Sequence, residues 1–355
     1  MQQLAKIFLI ITIVLLLLWL LPWSYRFMTA KSNRTPFTLY SGIVNDFAML
    51  KTDQKETTYT DLSGNKYTEK QFDSILPLFY YRQLMAEERL PDTLRGIPVS
   101  PRAIQAENFI FRTTPSAVNA IKIPLYPLLE SMSGRVDLEM PDDVFRMSER
   151  MEFIDIETNS VKEQKSQQFT DMLLKKGFVF PARLVAGNPT ARKEYDEGYL
   201  MVDAASKLFH VKQIKGRPYV RFIEAPAEIK IEHIFVTEFK NKKSLAFLTD
   251  AQHQFWVLTT KNYEFHQVEI PSFDPTRMSM SIIANMFDWT VTVINGREEK
   301  LYAINANNYE LLKSMEYPAA ELTAAQKAGK YIFPVRLEFS SYLDSKIYPR
   351  IKSNN

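Results

Sequence analysis

The stretch 245–258 reads Leu245-Ala246-Phe247-Leu248-Thr249, then Asp250-Ala251-Gln252-His253, then, after Gln254, Phe255-Trp256-Val257-Leu258. Two short apolar runs rich in strand-forming side chains flank a polar turn, which is the pattern of a β-hairpin. The same shape occurs earlier, with Tyr199–Val202 and Leu208–Val211 around Asp203-Ala204-Ala205-Ser206. It recurs with Thr290–Ile294 and Leu301–Ile304 around Asn295-Gly296-Arg297. Phe209, Trp256 and Tyr302 occupy equivalent places, 47 and 46 residues apart. The turn residues Asp155, Asp203, Asp250 and Asn295 step by 48, 47 and 45, and further steps of 47 back reach Asn108 and Asp61.

A period of 40 to 50 residues holding several short strands is that of a β-propeller blade. One small twisted sheet cannot bury both faces alone, whereas stacking it between neighbours buries both and leaves only short edges. The expected fold is therefore mainly β, with propeller-like repeats of about 47 residues in roughly six units. Because any all-β chain yields frequent hairpins, another all-β or α+β multi-unit arrangement stays open. Three segments read as helical: Phe72 to Arg89 around Pro77, Phe169 to Lys176 ended by Gly177, and Glu321 to Ala328. The strand-like tail from Tyr331 to Ile351 is a candidate to complete the first blade and close the ring.

Ahead of the repeats stands one long apolar run, Ile7 to Trp23 (IFLIITIVLLLLWLLPW), with no charged residue. As a helix, its 17 residues span about 25 Å, close to the hydrocarbon thickness of a bilayer. Trp19, Trp23 and Tyr25 lie where amphipathic rings favour the membrane–water interface. A cleaved signal peptide fits less well, since the core is long and Met28-Thr29-Ala30 is a poor cleavage site. The chain thus divides into a transmembrane anchor with its basic flank, residues 1–34, and a tethered domain, residues 35–355. Six residues precede the apolar run, the layout of a signal anchor, and point to an extracytoplasmic domain on the inner membrane, periplasmic in its bulk. Arg26, Lys31 and Arg34 oppose that orientation, because cations resist translocation.

Charge and composition narrow the function classes. Residues 1–36 hold four cations and no acid, while the rest carries 40 Lys plus Arg against 41 Asp plus Glu. The basic character belongs to the anchor, and nucleic acid is not an expected partner. With no cysteine, the chain has no disulfide, thiolate zinc site or cysteine nucleophile. No two of its ten glycines lie closer than ten residues, which excludes glycine-rich phosphate loops and dinucleotide fingerprints. His210, His233, His253 and His266 form no metal-binding spacing, and Asp142-Asp143 reads as a turn or cap. No catalytic, cofactor-binding or metal residue is named by sequence, and no cofactor is expected.

The densest unusual run is Gly177 to Lys212, GFVFPARLVAGNPTARKEYDEGYLMVDAASKLFHVK, in which Gly187-Asn188-Pro189-Thr190 is a turn and Arg192 to Glu197 a charged cluster. Read by itself, that cluster is a polar connection between blades, or a loop that meets a partner. This run, behind a single N-terminal membrane segment, resembles a bacterial family of membrane-anchored proteins with a domain of unknown function. Its members are often encoded beside ATP-binding and permease components of ABC transporters. The resemblance covers nearly the whole chain and brings no catalytic residues with it. It implies an accessory membrane role.

The reading that unites these features is a membrane-tethered, non-enzymatic accessory or interaction protein whose partners are the lipid bilayer and an integral-membrane protein such as a transporter permease. A propeller that binds or senses a small molecule, sugar or peptide is the alternative, and a propeller hydrolase the third. Deleting residues 1–30 is expected to release a folded, soluble domain, as judged by ultracentrifugation and far-UV circular dichroism. A full-length product that is already soluble and starts near Lys31 would refute the anchor.

Overall fold

The computed structural model describes residues 2–30, 35–53, 56–132, 137–319 and 321–353. Lys31 and Arg34, two of the cations that bear on orientation, lie outside the described residues. Helix α1 (Gln2–Thr29) contains the apolar run, of which Pro22 alone is buried. The first sheet is a meander of β1 (Phe37–Ser41), β2 (Asp46–Asp53), β3 (Glu56–Asp61) and β4 (Lys66–Tyr67). A largely helical segment follows: α2 (Glu69–Ile75), α3 (Tyr81–Ala86), the small hairpin β5 (Thr93–Leu94) with β6 (Ile97–Pro98), and α4 (Pro101–Glu107). Next come β7 (Phe109–Thr113), α5 (Pro115–Val118), the hairpin β8 (Asp143–Met147) with β9 (Met151–Asp155), and α6 (Glu163–Lys175).

Three further antiparallel meanders complete the body. They are β10 (Leu184–Gly187) to β13 (Arg217–Ile223), with β11 (Tyr199–Val202) and β12 (Leu208–Ile214) between; β14 (Ile231–Val236) to β17 (Phe265–Gln267), with β15 (Ser244–Asp250) and β16 (Phe255–Thr259); and β18 (Ser279–Ala284) to β21 (Leu311–Tyr317), with β19 (Asp288–Asn295) and β20 (Glu298–Asn305). A C-terminal lobe follows, made of α7 (Ala324–Ile332) and the pair β22 (Val335–Glu338) and β23 (Arg350–Ser353).

Alternation along single strands explains how the sheets stack. On β11, Tyr199 and Met201 join a core with Phe145 and Phe153 of the β8–β9 hairpin and Phe169 and Leu173 of α6. Leu200 and Val202 of the same strand point the other way, into a core with Ile231, Ala246 and Leu248 of the next sheet. Phe247 of β15 faces forward to Ile282, Trp289 and Tyr302 of the sheet after that. The other face of that sheet presents Leu301 and Ala303 to Tyr40 and Phe47 of the first sheet. The far side of the first sheet is covered by α2, through Phe72 and Ile75 against Leu39 and Ala48. Period-2 strands with both faces apolar can be satisfied only by neighbours on both sides.

The fold is therefore mainly β and propeller-like, with sheets packed face to face in sequence, and among the described residues no strand pairing closes a ring. The register holds closely in its second half. Phe209, Trp256 and Tyr302 all lie on third strands, and each contributes to the core shared with the preceding unit. Asp203 and Asp250 accept the backbone N–H four residues on, from Lys207 at 2.7 Å and Gln254 at 2.8 Å. Asp61 makes the same turn with Asn65 at 2.8 Å, but between the third and fourth strands of its sheet. The step at Asn108 corresponds to no blade, because Asn108 caps α4 and the strand after it, β7, pairs with β18 as a fifth strand. The described sheets are thus four meanders and three two-stranded pairs, β5–β6, β8–β9 and β22–β23.

The C-terminal tail does not complete the first blade. Consecutive strands build that sheet alone, β22 and β23 pair only with each other, and β22 packs beside α1. The three helical readings hold. Pro77 separates α2 from α3, and α6 stops where Gly177 takes a φ of +83°, a conformation glycine adopts without steric cost. Phe247, fully buried and ringed by Phe109, Phe111, Phe239, Phe255 and Trp289, sits at the hub between two sheets. Phe247→Ala is expected to cost about 3–5 kcal/mol by chemical denaturation, whereas Phe37→Ala on the partly exposed edge costs much less.

Candidate functional site

Two places in the body concentrate polar chemistry. The first is built from the run that stands out in the sequence. Between β10 and β11 the chain doubles back as the 188–198 loop, and Lys193 and Asp196 of its charged cluster turn inward while Arg192 and Glu194 stay exposed. The Lys193 side chain, 5% exposed, holds Asp196 at 2.6 Å and Glu238 of the neighbouring sheet at 2.7 Å. Asn188 donates to Glu238 at 2.7 Å, and the Glu197 backbone N–H does so at 2.8 Å. Ser131 donates to Asp196 at 2.8 Å. Burial pushes the Glu238 carboxyl up, against the pull of Lys193. Gly198 is required at the turn out of the loop, since its φ is +61° and a Cβ there would meet the Val211 carbonyl at 2.3 Å.

His210 extends the network on the adjacent strand. Its Nε2 lies 2.6 Å from the Glu197 carbonyl, an acceptor only, so Nε2 carries the proton and Nδ1 accepts from the Tyr263 hydroxyl at 2.9 Å. Burial lowers the His210 pKa to about 4, with the nearby Lys212 acting in the same direction. This cluster is fully engaged in holding two sheets together, so it is a clamp between blades and not an open loop.

The other singled-out residues also have structural partners. Asp142 and Asp143 receive Lys162, at 2.9 and 3.2 Å, and Asp143 also holds Lys165 at 2.8 Å. His233 bonds Thr249 at 3.0 Å, His253 takes a positive φ in the β15–β16 turn, and His266 faces Glu264 at 3.5 Å. Among the described residues no group of three His, Asp or Glu side chains has the arrangement to hold a metal ion.

The second place was not legible in the sequence. A cleft of about 870 Å³ opens between the first sheet, the β18–β21 sheet and the helical segment. Its walls are apolar, with Leu39, Ile43, Ile75, Leu78, Phe79 and Phe287 among them. The Arg95 guanidinium lies 5.1 Å from the Phe287 ring centre, donates to the Gly42 carbonyl at 3.1 Å, and faces Asp288 at 3.4 Å. Asp288 is 3% exposed; burial pushes its carboxyl up, while a hydrogen bond from Asn285 at 2.8 Å acts the other way. Asn108 donates to the Leu78 carbonyl at 2.8 Å, while its own Oδ1 is buried with no hydrogen-bond partner. An apolar cleft with a few polar groups suits binding more than bond-making. Its residues come from segments up to 250 positions apart, so no local motif marks it.

These features define a propeller-like β domain behind an apolar N-terminal helix. Residues 37–304 match the family described as a domain of unknown function, DUF4857, and the chain belongs to that family. No curated protein matches the sequence. Among solved structures, the chain is similar to the β-propeller domain of Cps50 (Swd1) from Myceliophteria thermophila, at 9% identity over 82% of this chain and 89% of that one, with a TM-score of 0.28. The WD40 domain of SCAP from fission yeast is 8% identical over 83% of this chain and 58% of its own, with a TM-score of 0.26. PorZ, a surface component of the type-IX secretion system of Porphyromonas gingivalis, is 10% identical over 83% of this chain and 28% of its own, with a TM-score of 0.24.

The clamp generates a pH prediction. In the unfolded chain His210 titrates near 6.5, but in the fold it stays neutral down to about 4. Between those values the unfolded state binds the extra proton, so stability present above pH 6.5 drains away as the pH falls towards 4. Denaturation of the full chain in detergent is expected to show a loss of about 3 kcal/mol over that window that His210→Asn lacks. Equal slopes for both proteins would contradict the assignment.

Proposed function

We propose that the chain is a membrane-tethered, non-enzymatic accessory or interaction protein that holds a propeller-like body beside an integral-membrane partner. The observation that carries this reading is α1: it is 28 residues long, its apolar window has a mean hydropathy of 2.9, and none of that window is buried. A surface of that kind is stable in water only when lipid or another apolar helix covers it. The body supplies exposed sheet edges and loops for a partner, in keeping with an accessory role next to a permease of ABC-transporter type. The inner membrane is the expected location, with the domain on its periplasmic side.

A second reading rests on the cleft at Arg95 and Asp288. An apolar or amphiphilic small molecule with a donor for the orphaned Asn108 Oδ1 would fit its chemistry, making the domain a sensor. Mild-detergent extraction with crosslinking is expected to recover the full chain with an integral-membrane protein. Recovery as a lone species would argue against the accessory role. For orientation, alkaline phosphatase fused after Asn355 is expected to be active, while fluorescence from a cytoplasm-only reporter at the same place would reverse the topology.

A further inference from the structure

The C-terminal lobe descends along α1 in order. Gln326 donates to the Thr29 carbonyl at 3.2 Å, and the Tyr25 hydroxyl donates to the Ala325 carbonyl at 2.8 Å. Phe333 packs on Tyr25 with ring centres 5.6 Å apart, and Arg26 pairs with Glu338. Phe339 meets Trp19 edge-to-face at 5.2 Å. Trp19 lies ten residues before Thr29, which is about 15 Å further along the axis and inside the apolar run. The chain after Phe339 therefore stands beside the part of α1 that needs an apolar surrounding.

That chain is itself unusually apolar on its outside. Tyr342 is 60% exposed and Ile347 is 83% exposed. The Leu343 carbonyl accepts a hydrogen bond from Asn119 at 2.6 Å, which ties this loop to a second segment of the body. There Ile121 and Ile123 are 75% and 73% exposed, on either side of Lys122. Lys122 and Lys346 have no carboxylate within ion-pair distance among the described residues. Residues 321–353 hold six Lys plus Arg against three acids, and Glu338 and Asp344 are already paired with arginines. Aromatic and aliphatic side chains interleaved with lysines, at the end of an apolar helix, match the headgroup and upper acyl layer of an anionic bilayer.

We propose that the 120–123 segment and the 340–348 loop form a lipid-binding rim that dips into the anionic membrane surface beside α1. The rim rests on the membrane-tethered reading and adds to it a fixed posture of the body: the lobe sets the angle at which the sheets stand off the bilayer, which a single helix and a short linker would leave free.

Because the chain has no cysteine, Ile347→Cys or Ile121→Cys gives one labelling site in the full-length protein, with Asn307→Cys in an exposed turn as the control. Each is labelled with an environment-sensitive fluorophore and reconstituted into phosphatidylcholine vesicles with and without phosphatidylglycerol. Blue-shifted emission at 347 and 121, quenched several-fold more strongly than at 307 by nitroxide-bearing lipids and weakened by Lys122→Glu with Lys346→Glu, is the expected result. Vesicle flotation separates the two readings. If the protein floats but both rim probes emit as in water, the rim is wrong and the anchor stands. If the protein does not float, the anchor itself fails. Blue shift without lipid quenching would mean that protein covers this face, and would overturn the rim.

Discussion

Burial of both faces of small sheets is the constraint from which the rest of this architecture follows. Tyr199 and Met201 face one neighbour while Leu200 and Val202 face the other, so a four-residue strand with no polar side commits its sheet to the middle of a stack. The same holds for Ser244–Asp250, buried along its whole length. A sheet of four short strands has little apolar area to offer, and only two-sided contact makes that area sufficient. At the outer ends of the series the same demand is met by helices, α6 at one end and α2 at the other.

Where two such sheets meet away from their apolar centres, polar groups have to be matched. The clamp around Lys193 does this between the second and third meanders. Two carboxylates, Asp196 and Glu238, and one lysine are withdrawn from water, and the cost is offset because their oxygens receive donors. Removing either partner of such a network strands a buried charge. The cleft at Arg95 and Asp288 is the contrasting case. There the sheets diverge, the helical segment bridges the gap, and the Asn108 oxygen has no partner.

The membrane reading joins these features to the lobe. A domain that only needed tethering would require nothing along α1 beyond a linker. Here Gln326, Ala325, Phe333, Glu338 and Phe339 form a track of contacts down the last turns of the helix. The lobe is thereby packed on the helix, and the Asn119–Leu343 hydrogen bond ties the loop with the exposed Ile347 to the segment with the exposed Ile121 and Ile123.

Local pattern alone determined several things. The apolar run from Ile7 to Trp23, the three hairpins from Tyr199 to Ile304, and the place of Phe209, Trp256 and Tyr302 on third strands are all set by periodicity and turn chemistry within a few dozen residues. Helix ends at Pro77 and Gly177 belong to the same class, because φ restrictions act on the residue itself. Tertiary structure decided what depends on distant partners. Asp61 makes the same turn as Asp203 and Asp250, yet only strand pairing shows that it sits one strand later in its sheet. Nothing local distinguishes β7 from the start of a blade; its choice of β18 as partner comes from the Phe109 and Phe111 rings entering the core around Phe247. The tail from 335 to 353 alternates like a closing strand, but β22 and β23 pair with each other while Phe333 and Phe339 pack on the aromatic rings of α1. The inward turn of Lys193 and Asp196 has the same origin. A charged run is a solvated loop until a lysine from one sheet finds a carboxylate on the next, and that partner, Glu238, lies 45 residues away.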